Sequence, residues 1–455
     1  MKIYEYSPSG LVGKTFECEC GYTHASTVKG ISVYGGAIKE LPAAVRSCGA
    51  DSVFIVADEN TFAASGETAV KLLSDEGIES RVCLLKTEEG FDRPEPTEKA
   101  LGNLVMSYDK KCGVIVGAGG GVVNDLCKLA SNLGHIPYIY VPTCPSMDGY
   151  TSDSASVIYN GVKTSVPCKC PDYLICDTDI ISKAPKKLLL AGIGDMCAKT
   201  VSICEWRISN LITGEHYCGD IAEIMRRCRK AAVKYAEAAV NGDKNAVSEI
   251  VKGLIMVGMA MTYAKSSRPA SGVEHYYSHL WDMRCLEEHR QCELHGIQVG
   301  VGTLLTLKKY EELKKITPDK EKALSFINSF DRAAWERGVR AYFGSCAESI
   351  IGIENREGKY APEKCAERLD IITEKWDEIL KIVNEELMPY SELEELFLKI
   401  GHPTKPSEIG ESDESAEKAF CHTSDIRDKY ILTRLLYDIG ETGRFFNSSS
   451  SSFLQ

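Results

Sequence analysis

The sequence lacks a long apolar run, a long basic run and any excess of positive charge. Its apolar segments fall short of the roughly 18–20 residues that a bilayer span requires, and the first residues lack the apolar core of a secretory signal. Its 53 Lys and Arg against 65 Asp and Glu give a formal net charge of −12. We therefore expect a cytoplasmic protein without stable membrane insertion. A nucleic-acid partner is not expected, because phosphate backbones require a basic surface.

The sequence also lacks the cysteine density of a disulfide scaffold, although it contains 19 cysteines among 455 residues. In a reducing cytosol we expect these thiols to stay reduced and to pack as small hydrophobic groups. Cys18, Cys20 and His24 have the residue types of a metal site. No second CxxC or HxxxH half lies nearby to close a tetrahedral site, so the sequence favours a structural strand and turn there.

The length and the pattern of apolar residues predict two domains. From about residue 31 to 181, short apolar runs alternate with helical stretches, which predicts an α/β domain with a parallel, doubly wound sheet. Beyond Pro185 helical periodicity dominates. We expect an α/β domain over residues 1–184 and a mainly α-helical domain over 185–455. The serine run at 448–452 is expected to be a frayed tail.

A glycine-rich run, GAGGGVVND, follows an apolar strand at residues 117–125. Its amides could approach a pyrophosphate at the start of the following helix. It departs from G-x-G-x-x-G because Val122 occupies the third glycine position, and glycines also serve sharp turns for backbone reasons. Asp58, at the end of an earlier strand, is a candidate for the adenosine ribose, or it is a helix N-cap.

A polar loop, TCPSMDGYTS, follows the next predicted strand at residues 143–152. Ligands of open α/β sheets bind at the carboxyl ends of such strands. Asp148 is a candidate for binding substrate hydroxyls, and Thr143, Ser146 and Ser152 are candidates for contacting a cofactor. Asx and Ser turns are the alternative for all four residues.

Four of the nine histidines lie between residues 275 and 295. His275 and His279 are four residues apart and would share one face of a helix, as two imidazole ligands of a divalent metal do. A carboxylate would complete such a site, and Asp195 is a candidate. Its alternative role is the N-cap of a helix that it begins. His289 lies among charged residues and is expected at the surface.

Several motifs together carry a family resemblance: GAGGGVVND, VPTCPSMDGYTS, LLLAGIGDMCAKTVSICEW, SSRPASGVEHYYSHLWD and LHGIQVGVG. In this combination the sequence resembles the sn-glycerol-1-phosphate dehydrogenase family, in its longer bacterial branch. That family lies within the iron-containing alcohol dehydrogenase and dehydroquinate synthase-like superfamily. The resemblance implies a dehydroquinate synthase-like fold, with a Rossmann-like parallel sheet followed by a helical domain.

The resemblance also assigns roles to individual positions. It implies that Asp195, His275 and His295 bind the metal and that these residues, with His279, form the catalytic set. His279 would then face the substrate with Asp148, despite its spacing from His275. Cys144 and Pro145 depart from the small residues usual in the family. The implied cofactor contacts are Asp58, Gly119, Gly120, Gly121, Val122, Val123, Thr143, Ser146 and Ser152.

The activity implied is the reversible reduction of dihydroxyacetone phosphate to sn-glycerol 1-phosphate. It would use NAD(H) or NADP(H) and one divalent metal, zinc or nickel in preference to iron, in a homodimer. Lys163 and Arg268 are candidates for the substrate phosphate, with a structural ion pair as the alternative for each. The rival activities are a polyol or glycerol dehydrogenase, a dehydroquinate synthase-like cyclase and a non-catalytic nucleotide-binding protein.

Overall fold

The computed structural model describes residues 2–159 and 162–446, so the serine run at 448–452 lies outside the described residues. The central sheet has six parallel strands in the order β3-β10-β7-β6-β4-β5, and two antiparallel pairs, β1-β2 and β8-β9, stand apart from it. The strands are β1 (Thr15–Glu17), β2 (Thr23–Ala25), β3 (Gly30–Tyr34), β4 (Ser52–Ala57), β5 (Glu79–Leu84), β6 (Val114–Gly119), β7 (Tyr138–Pro142), β8 (Ser154–Tyr159), β9 (Val162–Pro167) and β10 (Tyr173–Asp177).

The burial of each strand agrees with its position in the sheet. Every residue of β6 and β7 is buried, as expected for central parallel strands covered on both faces. β5 is largely exposed, consistent with its position at the sheet edge. The sheet is connected by the helices α1 (Leu41–Ser47), α2 (Glu59–Thr61), α3 (Glu67–Asp75), α4 (Glu98–Ser107), α5 (Gly121–Gly134) and α6 (Thr178–Ile181).

The described chain beyond β10 is helical, which confirms the predicted α/β sheet followed by a mainly helical part. The domain boundary at residue 184 stays a prediction. These later helices are α7 (Lys186–Cys197), α8 (Lys199–Thr213), α9 (Gly219–Val240), α10 (Lys244–Ala264), α11 (Val273–Glu287), α12 (His295–Leu313), α13 (Lys320–Asn328), α14 (Arg332–Phe343), α15 (Ala347–Glu357), α16 (Pro362–Glu374), α17 (Trp376–Glu386), α18 (Tyr390–Ile400), α19 (Asp413–His422), α20 (Leu432–Asp438) and α21 (Thr442–Phe445).

Short turns of other helix types complete the described structure. A π-helical turn spans Phe62–Gly66 between α2 and α3. The 3-10 turns are Ile3–Glu5, Ser9–Leu11, Ala37–Glu40, Gly344–Cys346 and Pro406–Ile409.

Two expectations about side chains require correction. Cys285 and Cys292 form a disulfide between the end of α11 and the loop that follows it, so not every thiol is free. Asp195 does not begin a helix, because α7 starts nine residues earlier, at Lys186, and Asp195 lies in its last turn. The N-cap alternative for Asp195 is therefore wrong.

The helix α10 is long and apolar enough to cross a membrane by length and composition alone. It is also mostly buried within the protein, with 78% of its apolar window covered. That burial is typical of the core helix of a soluble protein. Asp243 caps its N-terminus by accepting hydrogen bonds from the amides of Asn245 and Ala246.

Candidate active site and metal centre

The glycine run forms the turn between β6 and α5 at the carboxyl edge of the sheet. The Tyr140 hydroxyl donates to the carbonyl oxygens of Gly119 at 3.1 Å and Gly120 at 3.2 Å. A Cβ atom on Gly119 would lie 2.5 Å from a methyl group of Val123, so the turn requires glycine there. α5 begins at Gly121, where the amides of the first helical turn have no partner within the helix. Gly119–Val123 can therefore surround an anionic group, as predicted for a pyrophosphate.

The remaining predicted cofactor residues lie near this turn, but their hydrogen bonds differ. Asp58 follows β4, and its carboxylate accepts from the Thr61 amide at 2.9 Å, so the N-cap alternative applies to it. The Thr143 amide donates to the Gly119 carbonyl at 3.1 Å, which places the loop after β7 against the glycine turn. Ser146 lies in that loop, where its hydroxyl oxygen accepts from the Cys144 thiol at 3.4 Å.

Ser152 is more enclosed than the other predicted cofactor contacts. Its hydroxyl is buried and lies 3.1 Å from the Lys128 ammonium and 3.1 Å from the Gly149 carbonyl. The ammonium of Lys128 also contacts the Gly149 carbonyl at 3.1 Å. These bonds give Ser152 a structural role in shaping the loop, and its contact with a cofactor stays a prediction.

Glycines on α7 and α12 bring these two helices close together and press α7 against the loop after β7. A Cβ atom on Gly192 would lie 1.9 Å from the Pro145 carbonyl oxygen. One on Gly296 would lie 2.0 Å from the Ala191 carbonyl oxygen. Such distances are far below van der Waals contact, so only glycine permits this packing. The close approach places Asp195, on α7, beside His295, at the start of α12.

Asp148, Asp195, His275 and His295 form a group that we call the acid–imidazole cluster. Metal-ligating atoms of Asp148, Asp195 and His275 all lie within 4.8 Å of one another. The Asp148 amide donates to the Asp195 carboxylate at 3.1 Å, and His275 Nε2 lies 3.4 Å from Asp195 Oδ1. The His275 and His295 rings are 5.3 Å apart between centroids. The fold thus brings all three predicted metal ligands to one place.

Hydrogen bonds from neighbouring side chains orient the two imidazoles. His275 Nδ1 lies 2.8 Å from Glu274, which leaves its Nε2 facing Asp195. His295 Nδ1 lies 2.8 Å from the Ser278 hydroxyl, which donates to Gln298 at 2.6 Å. Metal-binding histidines are commonly held in this way, through the nitrogen that does not bind the metal. This donor set suits a divalent cation with one position left open.

His279 lies one turn after His275 on α11, as the spacing predicts, and its ring stacks near His295 with centroids 5.9 Å apart. Its Nδ1 is buried and has no hydrogen-bond partner among the described residues. Burial lowers the pKa of both His279 and His295 well below the ordinary histidine value, so both imidazoles are neutral near pH 7. His289, in contrast, is exposed, as predicted.

Lys199 is a member of the site that the sequence reasoning missed. Its ammonium is fully buried, 2.6 Å from Asp148 and 2.9 Å from Asp195, and donates to the Ala270 carbonyl at 3.0 Å. Burial lowers its pKa, but the two carboxylates raise it more, so the group stays charged. Burial likewise raises the pKa of Asp195, but Lys199 and His275 outweigh it and the group is a carboxylate. Lys199 lies four residues after Asp195, and this spacing was the sequence signal that could have indicated their ion pair.

A buried pair of acidic residues behind His275 was also missed. The Glu205 carboxylate accepts from the amides of Val273 at 3.0 Å and Leu432 at 2.9 Å, and Glu274 accepts from the Gly272 amide at 2.8 Å. Burial and the charge of Glu274 raise the pKa of Glu205 to about 8. The pair fixes the turn that begins α11 and so supports the Glu274 contact with His275.

The two predicted phosphate-binding residues have protein partners. Lys163, on β9, forms an ion pair with Asp282 at 2.5 Å, and its charge helps to lower the pKa of His279 and His295. Arg268 is buried, pairs with Glu215 at 3.0 Å and donates to the Glu205 carbonyl at 3.1 Å. Both therefore have the ion pair that was their structural alternative, and their contact with a phosphate stays a prediction.

Comparisons with known proteins identify related sequences and a related fold. Residues 32–185 match the family described as iron-containing alcohol dehydrogenase. The chain is 34% identical over 319 residues to a glycerol-1-phosphate dehydrogenase [NAD(P)+] of Halalkalibacterium halodurans, covering 70% of this chain and 80% of that relative. It is 29% identical to one of Geobacillus thermodenitrificans, covering 76% and 85%. The fold is similar to glycerol dehydrogenase from Schizosaccharomyces pombe, with a TM-score of 0.59, 18% identity and 93% and 90% coverage.

Proposed function

Because the chain belongs to the glycerol-1-phosphate dehydrogenase family, we propose that it catalyses the reversible, NAD(P)H-dependent reduction of dihydroxyacetone phosphate to sn-glycerol 1-phosphate. It is an NAD(P)-dependent oxidoreductase with an α/β sheet and a helical part.

The observation that carries the proposal is the contact between the loop after β7 and the last turn of α7. The Asp148 amide donates to Asp195, and Lys199 contacts both carboxylates. Residues of the sheet edge, where the glycine turn lies, are thereby joined to the helices that carry His275 and His295. A nicotinamide cofactor at the glycine turn and a substrate at the acid–imidazole cluster would be neighbours.

We assign the metal to Asp195, His275 and His295, because the Asp195 carboxylate and the imidazole nitrogens that Glu274 and Ser278 do not hold suit a divalent cation. When bound, the metal supplies Lewis-acid polarisation of the ketone oxygen, and the nicotinamide supplies the hydride. Lys199 keeps Asp195 in its charged form, and Glu274 and Ser278 hold the imidazole rings. These residues are ready before the substrate arrives, which lowers the reorganisation needed during the reaction.

His279 would contact the substrate directly. Its neutral ring has one nitrogen that carries a proton and one that accepts, and Nδ1 lacks a protein partner in the described structure. It can therefore hold a substrate hydroxyl or ketone oxygen by a hydrogen bond and exchange a proton with it. Asp148 would accept from a second substrate hydroxyl. His279 would deliver the proton to the oxygen on C2 of dihydroxyacetone phosphate, and C2 would receive the hydride from a nicotinamide at the glycine turn.

Several finer assignments accompany this activity. Two imidazoles and a carboxylate suit zinc, nickel or iron alike, and the family resemblance favours zinc or nickel over iron. Asp58 favours NADH, because its carboxylate would repel the 2′-phosphate of NADPH. We further propose, on the family resemblance, a cytoplasmic homodimer that supplies glycerol 1-phosphate for phospholipid synthesis. Metal analysis would test the identity of the cation, a comparison of the two cofactors would test the preference for NADH, and light scattering would test the homodimer.

The substrate assignment can be tested with purified protein and NADH. We expect oxidation of NADH with dihydroxyacetone phosphate and little with dihydroxyacetone. Comparable rates with both would favour a polyol dehydrogenase, and no net NADH consumption would favour a cyclase. The product is then offered to an sn-glycerol-3-phosphate dehydrogenase. Efficient oxidation by that enzyme would contradict the sn-1 product.

A further inference from the structure

A second group of metal-ligating residues lies where the N-terminal hairpin meets the helices. Cys18 follows β1, Cys20 lies in the turn, and His24 is on β2. Cys218 immediately precedes α9, 200 positions beyond Cys18 in the sequence. We call Cys18, Cys20, His24 and Cys218 the thiol cluster. Their ligand atoms all lie within 4.8 Å of one another.

The distances within the thiol cluster match a tetrahedral site. Cys18 Sγ and Cys218 Sγ are 3.6 Å apart, and His24 Nε2 lies 3.5 Å from both Cys20 Sγ and Cys218 Sγ. Zinc–sulfur bonds of about 2.3 Å and zinc–nitrogen bonds of about 2.0 Å, at tetrahedral angles, separate ligand atoms by about 3.5 to 3.8 Å. These three separations agree with ligand atoms around one cation, and the remaining pairs also lie within 4.8 Å of one another.

The orientation of His24 supports the same conclusion. Its Nδ1 lies 3.0 Å from the Tyr263 carbonyl oxygen on α10, where an N–H would donate. That bond selects the tautomer whose Nε2 lone pair faces the three thiols. Holding a histidine by Nδ1 while Nε2 binds the metal is the usual arrangement in zinc sites. His24 and Cys218 are buried, so the ring is not free to turn away.

The position of the thiol cluster indicates what it does for the fold. A two-stranded sheet of three residues per strand, such as β1-β2, is at best marginally stable alone. Three ligands of the thiol cluster lie on this hairpin, and the fourth, Cys218, lies at the start of the 22-residue helix α9. A cation bound by all four residues would fasten the hairpin to the helical part of the protein. Stacking of Tyr22 on His216, with ring centroids 3.8 Å apart, adds a second contact nearby.

We propose that the thiol cluster is a structural zinc site, distinct from the acid–imidazole cluster. Binding would release the three thiol protons and leave thiolates on the metal. Four protein ligands fill a tetrahedral zinc, so no position remains for a substrate. The sequence near Cys18 and Cys20 has no second half of a metal site, and the fold supplies the missing ligand, Cys218, from a distant segment.

Cobalt substitution separates the two sites, because only the thiol cluster contains sulfur. Full-length protein prepared under reducing conditions is stripped of metal and reconstituted with Co²⁺. We expect a thiolate-to-cobalt charge-transfer band in the wild type and in His295→Ala. Cys218→Ser should lose this band and one equivalent of zinc per chain in the native preparation. Cys228→Ser, which removes a buried thiol on α9 outside the cluster, should keep both.

The wild-type protein provides a test that does not depend on the folding of a variant. X-ray absorption at the zinc edge should show sulfur neighbours at about 2.3 Å, in the ratio of three sulfurs to one nitrogen for this site. Zinc with only nitrogen and oxygen neighbours, or no charge-transfer band with cobalt, would overturn the proposal. So would a Cys18–Cys218 disulfide in peptide mapping of freshly purified, alkylated protein.

Discussion

The acid–imidazole cluster and the thiol cluster both contain metal-ligating side chains, but they differ in charge and in the number of ligands available to one cation. The acid–imidazole cluster contains two carboxylates and imidazoles oriented by other side chains, and the buried ammonium of Lys199 contacts both carboxylates, at the edge where sheet and helices meet. The thiol cluster contains four ligand atoms at tetrahedral distances and holds two segments of backbone together. A metal held by three protein ligands keeps an open position where a substrate can bind. A metal held by four protein ligands has no such position and serves a structural role.

The largest difference expected between the clusters is in catalysis. His295→Ala should lower kcat/KM for dihydroxyacetone phosphate by about 10³-fold or more, since it removes a metal ligand and the charge stabilisation that the metal provides. The thiolate-to-cobalt band should remain. His289→Asn is the matched control, because His289 is exposed with φ +50°, a conformation that asparagine tolerates. Full activity and unchanged metal content in His295→Ala would contradict the assignment.

Lys199 tests whether the charge balance of the acid–imidazole cluster matters for stability. Lys199→Met would leave two buried carboxylates without their cation, so metal-stripped protein should lose about 3–5 kcal/mol of unfolding free energy. Urea unfolding with chelator and with excess metal would measure this loss, which metal should reduce by neutralising the same carboxylates. The control is Lys187→Met, which removes an exposed ammonium paired with the half-buried Glu293 and should cost about 1 kcal/mol or less. An equal loss with and without metal would contradict this account.

The glycine packing of α7 tests whether the acid–imidazole cluster depends on exact helix placement. Gly192→Ala puts a Cβ 1.9 Å from the Pro145 carbonyl oxygen and should cost about 1–3 kcal/mol while lowering activity. The thiolate-to-cobalt band should be unaffected. Gly102→Ala on α4 meets no heavy atom within 4 Å and should stabilise by about 0.5–1 kcal/mol. Thermal unfolding and steady-state kinetics would measure both, and wild-type activity in Gly192→Ala would refute the role of the packing.

The smallest effect concerns the cofactor at the edge of the acid–imidazole cluster. Asp58→Ser should retain the cap on the Thr61 amide but remove the charge, so the ratio of kcat/KM for NADPH to NADH should rise about tenfold. Asp243→Ser, at the N-cap of α10, is the control and should leave the ratio unchanged. An unchanged ratio in Asp58→Ser would show that Asp58 serves only as a helix cap.

Much of the sheet and part of the acid–imidazole cluster could be predicted from sequence. The buried strand before Gly117, the helix after Gly120 and the shared helix of His275 and His279 follow from residues close in the chain. The position of Asp195 was harder to predict, because it lies in the last turn of α7 and its place depends on where that helix starts. Lys199 was missed because a lysine four residues after an aspartate usually lies on an exposed face, whereas here it is fully buried.

By itself, the sequence determined the local elements and the glycine turn, because strand and helix periodicity depend on neighbouring residues. Through its motifs it also determined the family. Only the tertiary structure decided which side chains meet. It brought Cys218 to the N-terminal hairpin and buried Lys199 between two carboxylates. The physical reason is that these contacts join distant segments, and their distances are set by close packing of helices such as α7 and α12.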